Sequence, residues 1–245
     1  MLDLQGYEAS ILKGALLTIE VAVLSLLLAM LLGMLGALAK MAPYRCRAIA
    51  TLYTTIIRGI PDLVLMMLIF FGGQILLNNG LSWFNEFINQ WLTARDPNHE
   101  WVAYLPDYVD ISPFVAGVLT IGFIFGAYMA ETFRGAILAV DKGELEAAKA
   151  YGMSAAMSFR RILLPQMIRH AIPGFGNNWL VLLKTTALVS IIGLEDMVRI
   201  SSLAAGSTKM PFTFYMAVAI IFLFFTSVST GLLKLLERKF SIHTR

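Results

Sequence analysis

The sequence has little of what soluble enzymes and metalloproteins depend on. Charged residues make up only 14% of its 245 positions, and it contains one cysteine and three histidines. The single cysteine, Cys46, cannot form an intramolecular disulfide or a thiolate cluster, and His99, His170 and His243 are too far apart in sequence to form a local metal motif. We therefore expect no redox chemistry and no metal site.

Apolar residues are present in long stretches instead. Hydrophobic residues make up 58% of the chain and the mean hydropathy is +0.73, well outside the range of soluble domains. The basic residues behind the net charge of +3 are dispersed between apolar stretches, so nucleic-acid binding is not expected. The first ten residues lack the basic start of a secretory signal, and we expect the first helix to stay in the mature protein.

Five stretches are long and apolar enough to cross a membrane, which takes about 20 residues. We therefore predict an all-α integral membrane protein that forms a single transmembrane domain over residues 1–245. The predicted spans are residues 14–39, 49–77, 111–133, 171–194 and 212–236. The fourth contains Asn177, Asn178 and Lys184, so it is expected to face protein or water.

The distribution of basic residues predicts the orientation, because Lys and Arg near helix ends are retained in the cytoplasm. Fourteen of the 19 lie in or close to the segments that follow spans one, three and five. We predict a periplasmic N-terminus, a cytoplasmic C-terminus and an outer loop at 78–112. Within that loop, residues 81–94 place aromatic and polar side chains at helical spacing, which predicts a short amphipathic helix at the outer membrane surface.

The inner segment at 141–169 carries a fixed pattern of small, acidic and apolar residues. Its specified positions are Glu146, Ala147, Ala148, Gly152, Ile162, Leu164 and Pro165. A small-residue helix, a glycine turn and a second helix form a compact knob that another protein's groove can hold closely. An ordinary surface helix would explain the Glu-Ala-Ala run alone, but seven positions in register favour a docking element.

This pattern matches the EAA-x3-G-x9-I-x-L-P loop of binding-protein-dependent ABC permeases. The stretches YTTIIRGIPDLVLMMLIFFG, GAYMAETFRGAI and LLKTTALVSIIGLED look like the polar amino-acid subfamily of these permeases. FRRILLPQM and GNNWLVLLKTTALVS are especially similar to the Q-type membrane subunits of histidine and lysine–arginine–ornithine importers. The resemblance covers nearly the whole chain.

The resemblance implies a multi-pass transport subunit of the bacterial inner membrane that carries polar and, by analogy, cationic amino acids such as histidine, arginine, lysine and ornithine. It implies a complex with a second, similar permease chain, two cytoplasmic ATPases and a periplasmic amino-acid-binding protein. The seven motif positions would then contact the ATPase. ATP and magnesium would bind to that partner subunit. This chain has no G-x-x-x-x-G-K-[ST] loop, so we expect no catalytic residue and no cofactor on it.

Two alternatives remain open at this point, and a third lacks the residues it would need. A permease of the same family for neutral or acidic amino acids would share every motif. An ion-coupled secondary transporter would also explain buried acids, but it has no need of an ATPase dock. An integral membrane enzyme would require a histidine cluster, paired carboxylates or a nucleophile beside a base, and the sequence contains none of these arrangements.

Ionisable side chains at membrane depth are the candidates for the substrate path, because each costs roughly 2.5 to 3.5 kcal/mol unless it has a partner or water. The charged candidates are Glu20, Asp62, Glu131 and Lys184, and the polar ring of Tyr128 is a further candidate. Asp62 directly follows Pro61, so a helix start stabilised by the helix dipole explains it as well as contact with a cation does.

The other candidates have competing explanations too. Glu131 lies three residues before Arg134, where an intrahelical ion pair competes with substrate contact. Lys184 is expected to neutralise an acid on a neighbouring helix, and holding a substrate carboxylate is the alternative. Glu20 has no base within four residues, so it requires a partner on another helix or a wet cavity.

Overall fold

The computed structural model describes residues 4–100 and 102–240, and every regular element among them is a helix. The long helices are α1 (Glu8–Met41), α3 (Asp62–Arg95), α4 (Pro113–Leu138), α7 (Leu164–Thr185) and α9 (Pro211–Phe240). The shorter ones are α2 (Tyr44–Gly59), α5 (Lys142–Ala150), α6 (Ala155–Ser158) and α8 (Met197–Thr208). A π-helical turn (Phe159–Leu163) precedes α7 and a 3-10 turn (Thr186–Ser190) follows it. The all-α prediction is confirmed for this part of the chain.

Four of these helices are long and apolar enough to cross a membrane, namely α1, α3, α4 and α9. They cover predicted spans one, three and five and the second half of span two. Helix α7 has 22 residues, which is about 33 Å of helix, but its polar residues keep it out of that set. A fifth crossing through residues 171–194 therefore stays a prediction.

The second predicted span, residues 49–77, is wrong as a single helix. Helix α2 ends at Gly59, Ile60 is extended with φ −109° and ψ 139°, and α3 begins at Asp62. Pro61 explains the break, since proline has no N–H to donate and disfavours the helical conformation of the residue before it. The end of one helix and the start of the next therefore meet at this point.

The short outer helix predicted for residues 81–94 is not a separate element, because these residues form the C-terminal half of α3. At 1.5 Å per residue α3 is about 51 Å long, well beyond the 30 Å hydrocarbon core. Side-chain amides along one face of α3 bind the backbone of the returning segment. They belong to Gln74, Asn78, Asn85 and Asn89. The carbonyl oxygen of the Asn85 amide, for example, accepts the Leu105 N–H at 2.9 Å.

Small residues bring α1 and α4 into close contact along most of their length. The small buried residues of this pair include Ala22, Ala29, Gly33, Gly122, Gly126, Ala127 and Ala130. A Cβ added at Gly33 would lie 2.4 Å from the Met129 Cβ, and one added at Gly126 would lie 2.8 Å from the Leu32 Cβ. Since lipid is as apolar as the side chains, close backbone packing holds such helices together where the hydrophobic effect cannot.

The turn before α8 contains a buried carboxyl group. Asp196 has 0% exposure, and its Oδ1 accepts the Arg199 N–H at 2.9 Å, which caps α8. Its Oδ2 has no hydrogen-bond partner among the residues that the structure describes, and burial raises the pKa of Asp196 to about 6. Helix α1 reaches this turn through Gly14, where an added Cβ would lie 2.6 Å from the Met197 nitrogen. The cap and the glycine together fix α8 against the first turns of α1.

Candidate functional site

The specified glycine of the 141–169 segment, which we call the coupling segment, ends α5 in a left-handed conformation. Gly152 has φ +77°, and its N–H donates to the Lys149 carbonyl at 2.9 Å. The Met153 N–H donates to the Ala148 carbonyl at 3.0 Å. These two bonds form a Schellman motif, in which glycine is favoured because other residues are strained at positive φ. The motif's glycine therefore fixes where α5 ends and where the chain turns.

The first half of the motif presents an exposed surface anchored by one buried methyl group. Glu146 and Ala147 are exposed, whereas Ala148 is only 3% exposed. Tyr151, which lies beside the glycine turn, is 88% exposed. The first half of the motif and the glycine turn thus offer small side chains, the acid Glu146 and an aromatic ring on the outside of the protein, which are features of a surface that a partner can cover closely.

The second half of the motif forms a wide helical turn. The Leu164 N–H donates to the Phe159 carbonyl five residues back, so this stretch winds as a π-helix. Pro165 accounts for the widening, because its ring would clash with the carbonyl of Arg161, four residues earlier, in a regular α-helix. Ile162 lies within the turn. Single π-turns occur frequently at functional sites, and this one joins α6 to α7 within the coupling segment.

Helix α7 carries a polar stripe that begins at the coupling segment. The Gln166 side-chain amide donates to the Glu144 carboxylate of α5. His170, Asn177 and Lys184 follow at intervals that keep them on the same face of α7 as Gln166. All three are exposed. Because polar groups are costly against lipid, this polar stripe faces water or another protein.

The neighbouring face of α7 packs on α4 through a polar bond and a close approach. The Asn178 side-chain amide donates to the Thr132 hydroxyl at 2.9 Å and lies 3.7 Å from the Met129 sulfur. A Cβ added at Gly174 would lie 2.7 Å from the Thr132 methyl carbon. Asn178 therefore binds α4, while Asn177 belongs to the polar stripe.

The break between α2 and α3 brings groups of both charges to one aromatic ring. The Arg58 guanidinium carbon lies 5.6 Å from the centre of the Tyr128 ring. Asp62, the first residue of α3, lies four positions after Arg58 on the other side of the break. The Tyr53 hydroxyl donates to the Phe123 carbonyl at 2.5 Å and fastens α2 to α4 beside this cluster. A cation, an acid and a ring in one place can bind the two charged ends of a zwitterion.

Arg58 was not identified from the sequence as a residue of the candidate site. It was counted among the fourteen bases assigned to the cytoplasmic side, with those that follow predicted span one, whereas the structure sets it over Tyr128 of α4. The sequence does carry one signal for it, since R-G-I-P-D places opposite charges on either side of a proline that breaks a helix.

Glu131 is paired within the chain. Its carboxylate accepts hydrogen bonds from the Lys40 ammonium of α1 and from Arg134 Nε, the latter at 3.2 Å. Of the two interpretations left open for Glu131, the pair with Arg134 is present in the structure, and Lys40 adds a second cation from 91 positions away in the sequence. With two bases already bound, Glu131 has less to offer a substrate than the acid at the helix break.

Glu20 and Lys184 form no ion pair within residues 4–100 and 102–240. Both side chains are exposed, one on α1 and one on α7. The internal partner expected for Lys184 is therefore not found in this part of the chain. The place of Glu20 and Lys184 on the substrate path stays a prediction.

The chain is similar in sequence and in fold to known transport proteins. Residues 17–242 match the family described as "Binding-protein-dependent transport system inner membrane component". The histidine/lysine/arginine/ornithine permease HisQ of Salmonella typhimurium is 49% identical, covering 98% of this chain and 96% of HisQ. The octopine permease OccQ of Rhizobium radiobacter is 38% identical, covering 96% and 91%. A crystal structure of an amino acid ABC transporter with histidines superposes with a TM-score of 0.74 at 32% identity, covering 95% of each chain.

Proposed function

This chain belongs to the binding-protein-dependent transport system inner membrane components, and from that premise we propose that it moves a cationic amino acid through an ATP-driven importer. Its relatives HisQ and OccQ are named as permeases for histidine, lysine, arginine and ornithine, and for octopine. The energy for transport would come from cytoplasmic ATPase subunits that grip the coupling segment. A periplasmic binding protein would deliver the substrate, and a second permease chain would complete the path.

The observation that carries the substrate class is the pair of opposite charges beside Tyr128. An amino acid entering the bundle brings an α-carboxylate and at least one ammonium or guanidinium group. Arg58 can bind the carboxylate, and Asp62 can bind a cationic group. The exposed acid Glu20 adds negative charge on α1, which favours a basic amino acid over an acidic one.

A continuous set of contacts connects the ATPase dock to this cluster. Glu144 of the coupling segment binds Gln166 of α7, and Asn178 of α7 binds Thr132 of α4. The Thr132 hydroxyl in turn donates to the Tyr128 carbonyl at 3.2 Å. Motion of the coupling segment would thus pull on α7 and shift α4, whose Tyr128 ring contacts Arg58.

The proposed orientation places Cys46 on the cytoplasmic side. This cysteine is exposed in the first turn of α2 and is the only one in the sequence. A membrane-impermeant maleimide should therefore label it in inverted vesicles and leave it unlabelled in intact spheroplasts. Labelling from the periplasmic side would reverse the orientation and, with it, the assignment of the coupling segment to the cytoplasm.

Replacing Asp62 by asparagine tests the substrate class. The change keeps size and shape and removes the charge, so a bound cationic group loses a charge-assisted contact of about 1.5 to 3 kcal/mol. Transport of arginine or lysine in proteoliposomes should fall at least about tenfold, since 1.4 kcal/mol corresponds to a factor of ten. The readout is uptake by the purified complex at saturating loaded binding protein, so that the receptor's own selectivity does not enter.

A matched control separates substrate contact from helix stability. Glu237 is an exposed acid near the end of α9, and Glu237→Gln should leave uptake unchanged. If Asp62 only stabilises the start of α3, Asp62→Asn would lower the melting temperature slightly and leave uptake near the wild-type rate. A variant that gains uptake of neutral amino acids at the expense of basic ones would support the cationic assignment, whereas equal loss for both classes would contradict it.

A further inference from the structure

An apolar groove of about 290 Å³ lies between four helices at the end of the bundle that carries the coupling segment. Its walls come from α1, α4, α7 and α9, and include Met30, Met34, Phe133, Met167, Ala171 and Leu236. The lining residues of α7 recur at helical spacing from Leu164 to Phe175, so they form one continuous face. Three of the side chains are methionines, which adapt to flexible apolar ligands.

The groove and the polar stripe lie on opposite faces of α7. Ile168 of the groove and His170 of the stripe are about 200° apart around the helix, at 100° per residue, and the same holds for Phe175 and Asn177. If the polar stripe faces the water-filled path or a partner chain, the groove faces away from it. An apolar surface on that side can be covered by lipid tails, which are as apolar as its own side chains.

Basic residues flank, in the sequence, the residues that line the groove at both of its ends on α7 and α9. Arg160 and Arg161 lie in the π-turn one turn before Leu164, and together they line an open depression with Met157. On α9, Lys239 immediately precedes Phe240, the last lining residue. The described residues contain no ion pair for any of these three bases.

We propose that this groove binds an anionic phospholipid, with an acyl chain against the methionine-lined walls and the phosphate at Arg160, Arg161 and Lys239. Basic pockets between transmembrane helices at the cytoplasmic surface favour anionic headgroups. The apolar walls require an acyl chain, which a free phosphate or a nucleotide does not have. Because the groove extends along α7 from Leu164, the residue that follows the π-turn, the bound lipid would brace α7 where the coupling segment joins the bundle.

The test is lipid binding by the full-length chain purified in detergent, measured by native mass spectrometry. Dioleoyl phosphatidylglycerol should bind at least about tenfold more tightly than dioleoyl phosphatidylcholine, since each basic residue at the surface contributes about a fivefold preference. Glycerophosphoglycerol, which has the headgroup without acyl chains, should not bind. Binding of this tailless probe would assign the site to phosphate and overturn the acyl-chain part of the proposal.

Two sets of variants locate the site. Arg160→Gln, Arg161→Gln and Lys239→Gln combined should abolish the preference for phosphatidylglycerol. Lys234 and Arg238 lie on the opposite face of α9 from Leu236, so the double variant Lys234→Gln, Arg238→Gln removes charge from α9 and should keep the preference. Ala171→Leu narrows the groove and should weaken both lipids alike. Equal binding of the two lipids by the wild-type chain, or equal loss in the control variant, would overturn the proposal.

Discussion

Replacing Gly33 by valine is expected to prevent the bundle from assembling. A Cβ at this position would lie 2.4 Å from the Met129 Cβ and 3.0 Å from the Met129 carbonyl carbon, so backbone as well as side chain opposes it. Overpacking costs typically 1 to 3 kcal/mol where side chains can yield, and we expect about 3 kcal/mol or more here because α1 and α4 would have to separate. The membrane yield and the melting temperature of detergent-extracted protein measure the effect.

The control for this change is another glycine within a spanning helix. A Cβ added at Gly231 of α9 would have nothing within 4 Å, so Gly231→Val adds the same side chain without a clash. Gly33→Ala should fall between wild type and Gly33→Val. If Gly33→Val and Gly231→Val melt at the same temperature, close packing of α1 on α4 does not hold the bundle together.

The sequence predicted those features that depend on residues close to one another in the chain. The apolar stretches of α1, α4 and α9 predicted these helices, because hydropathy over about 20 residues sets what crosses a membrane. The pair of Glu131 and Arg134 followed from a spacing of three residues. The glycine of the motif was predicted as a turn, and its positive φ at Gly152 bears that out.

Tertiary contacts account for what the sequence did not reveal. Lys40 reaches Glu131 across 91 positions, and nothing near either residue indicates the other. The amides on α3 looked like the polar side of a short surface helix, because the segment they bind folds back along the helix only in three dimensions. Pro61 is present in the sequence, but the apolar residues on both sides of it predicted one continuous span, and the structure has two helices there.

Replacing Gly152 by aspartate is expected to uncouple ATP hydrolysis from transport while leaving the chain in the membrane. The left-handed conformation costs a residue with a side chain about 1 to 2 kcal/mol, and aspartate tolerates it better than most. That cost is too small to unfold the bundle. An unpaired carboxylate pressed into a protein contact costs several kcal/mol, so association with the ATPase should weaken roughly a hundredfold.

Two variants separate charge from backbone strain at this turn. Gly152→Asn keeps the shape of aspartate without its charge, so it should retain much of the coupling. Gly193, with φ +96° and nothing within 4 Å of an added Cβ, lies in the turn between α7 and α8 outside the coupling segment. Gly193→Asp therefore imposes a similar backbone strain elsewhere, and it should leave ATPase association intact.

Co-purification of the ATPase and the ratio of amino acid imported to ATP hydrolysed are the measurements. If the coupling segment binds the ATPase through the turn after α5, Gly152→Asp should lose ATPase association and coupling, and Gly193→Asp should keep both. Wild-type coupling in Gly152→Asp would mean that the turn lies outside the contact with the ATPase. The exposure of Glu146 and Tyr151 would then not indicate a surface that the ATPase covers. Equal loss in both variants would instead assign the effect to strain at positive φ, wherever in the chain it occurs.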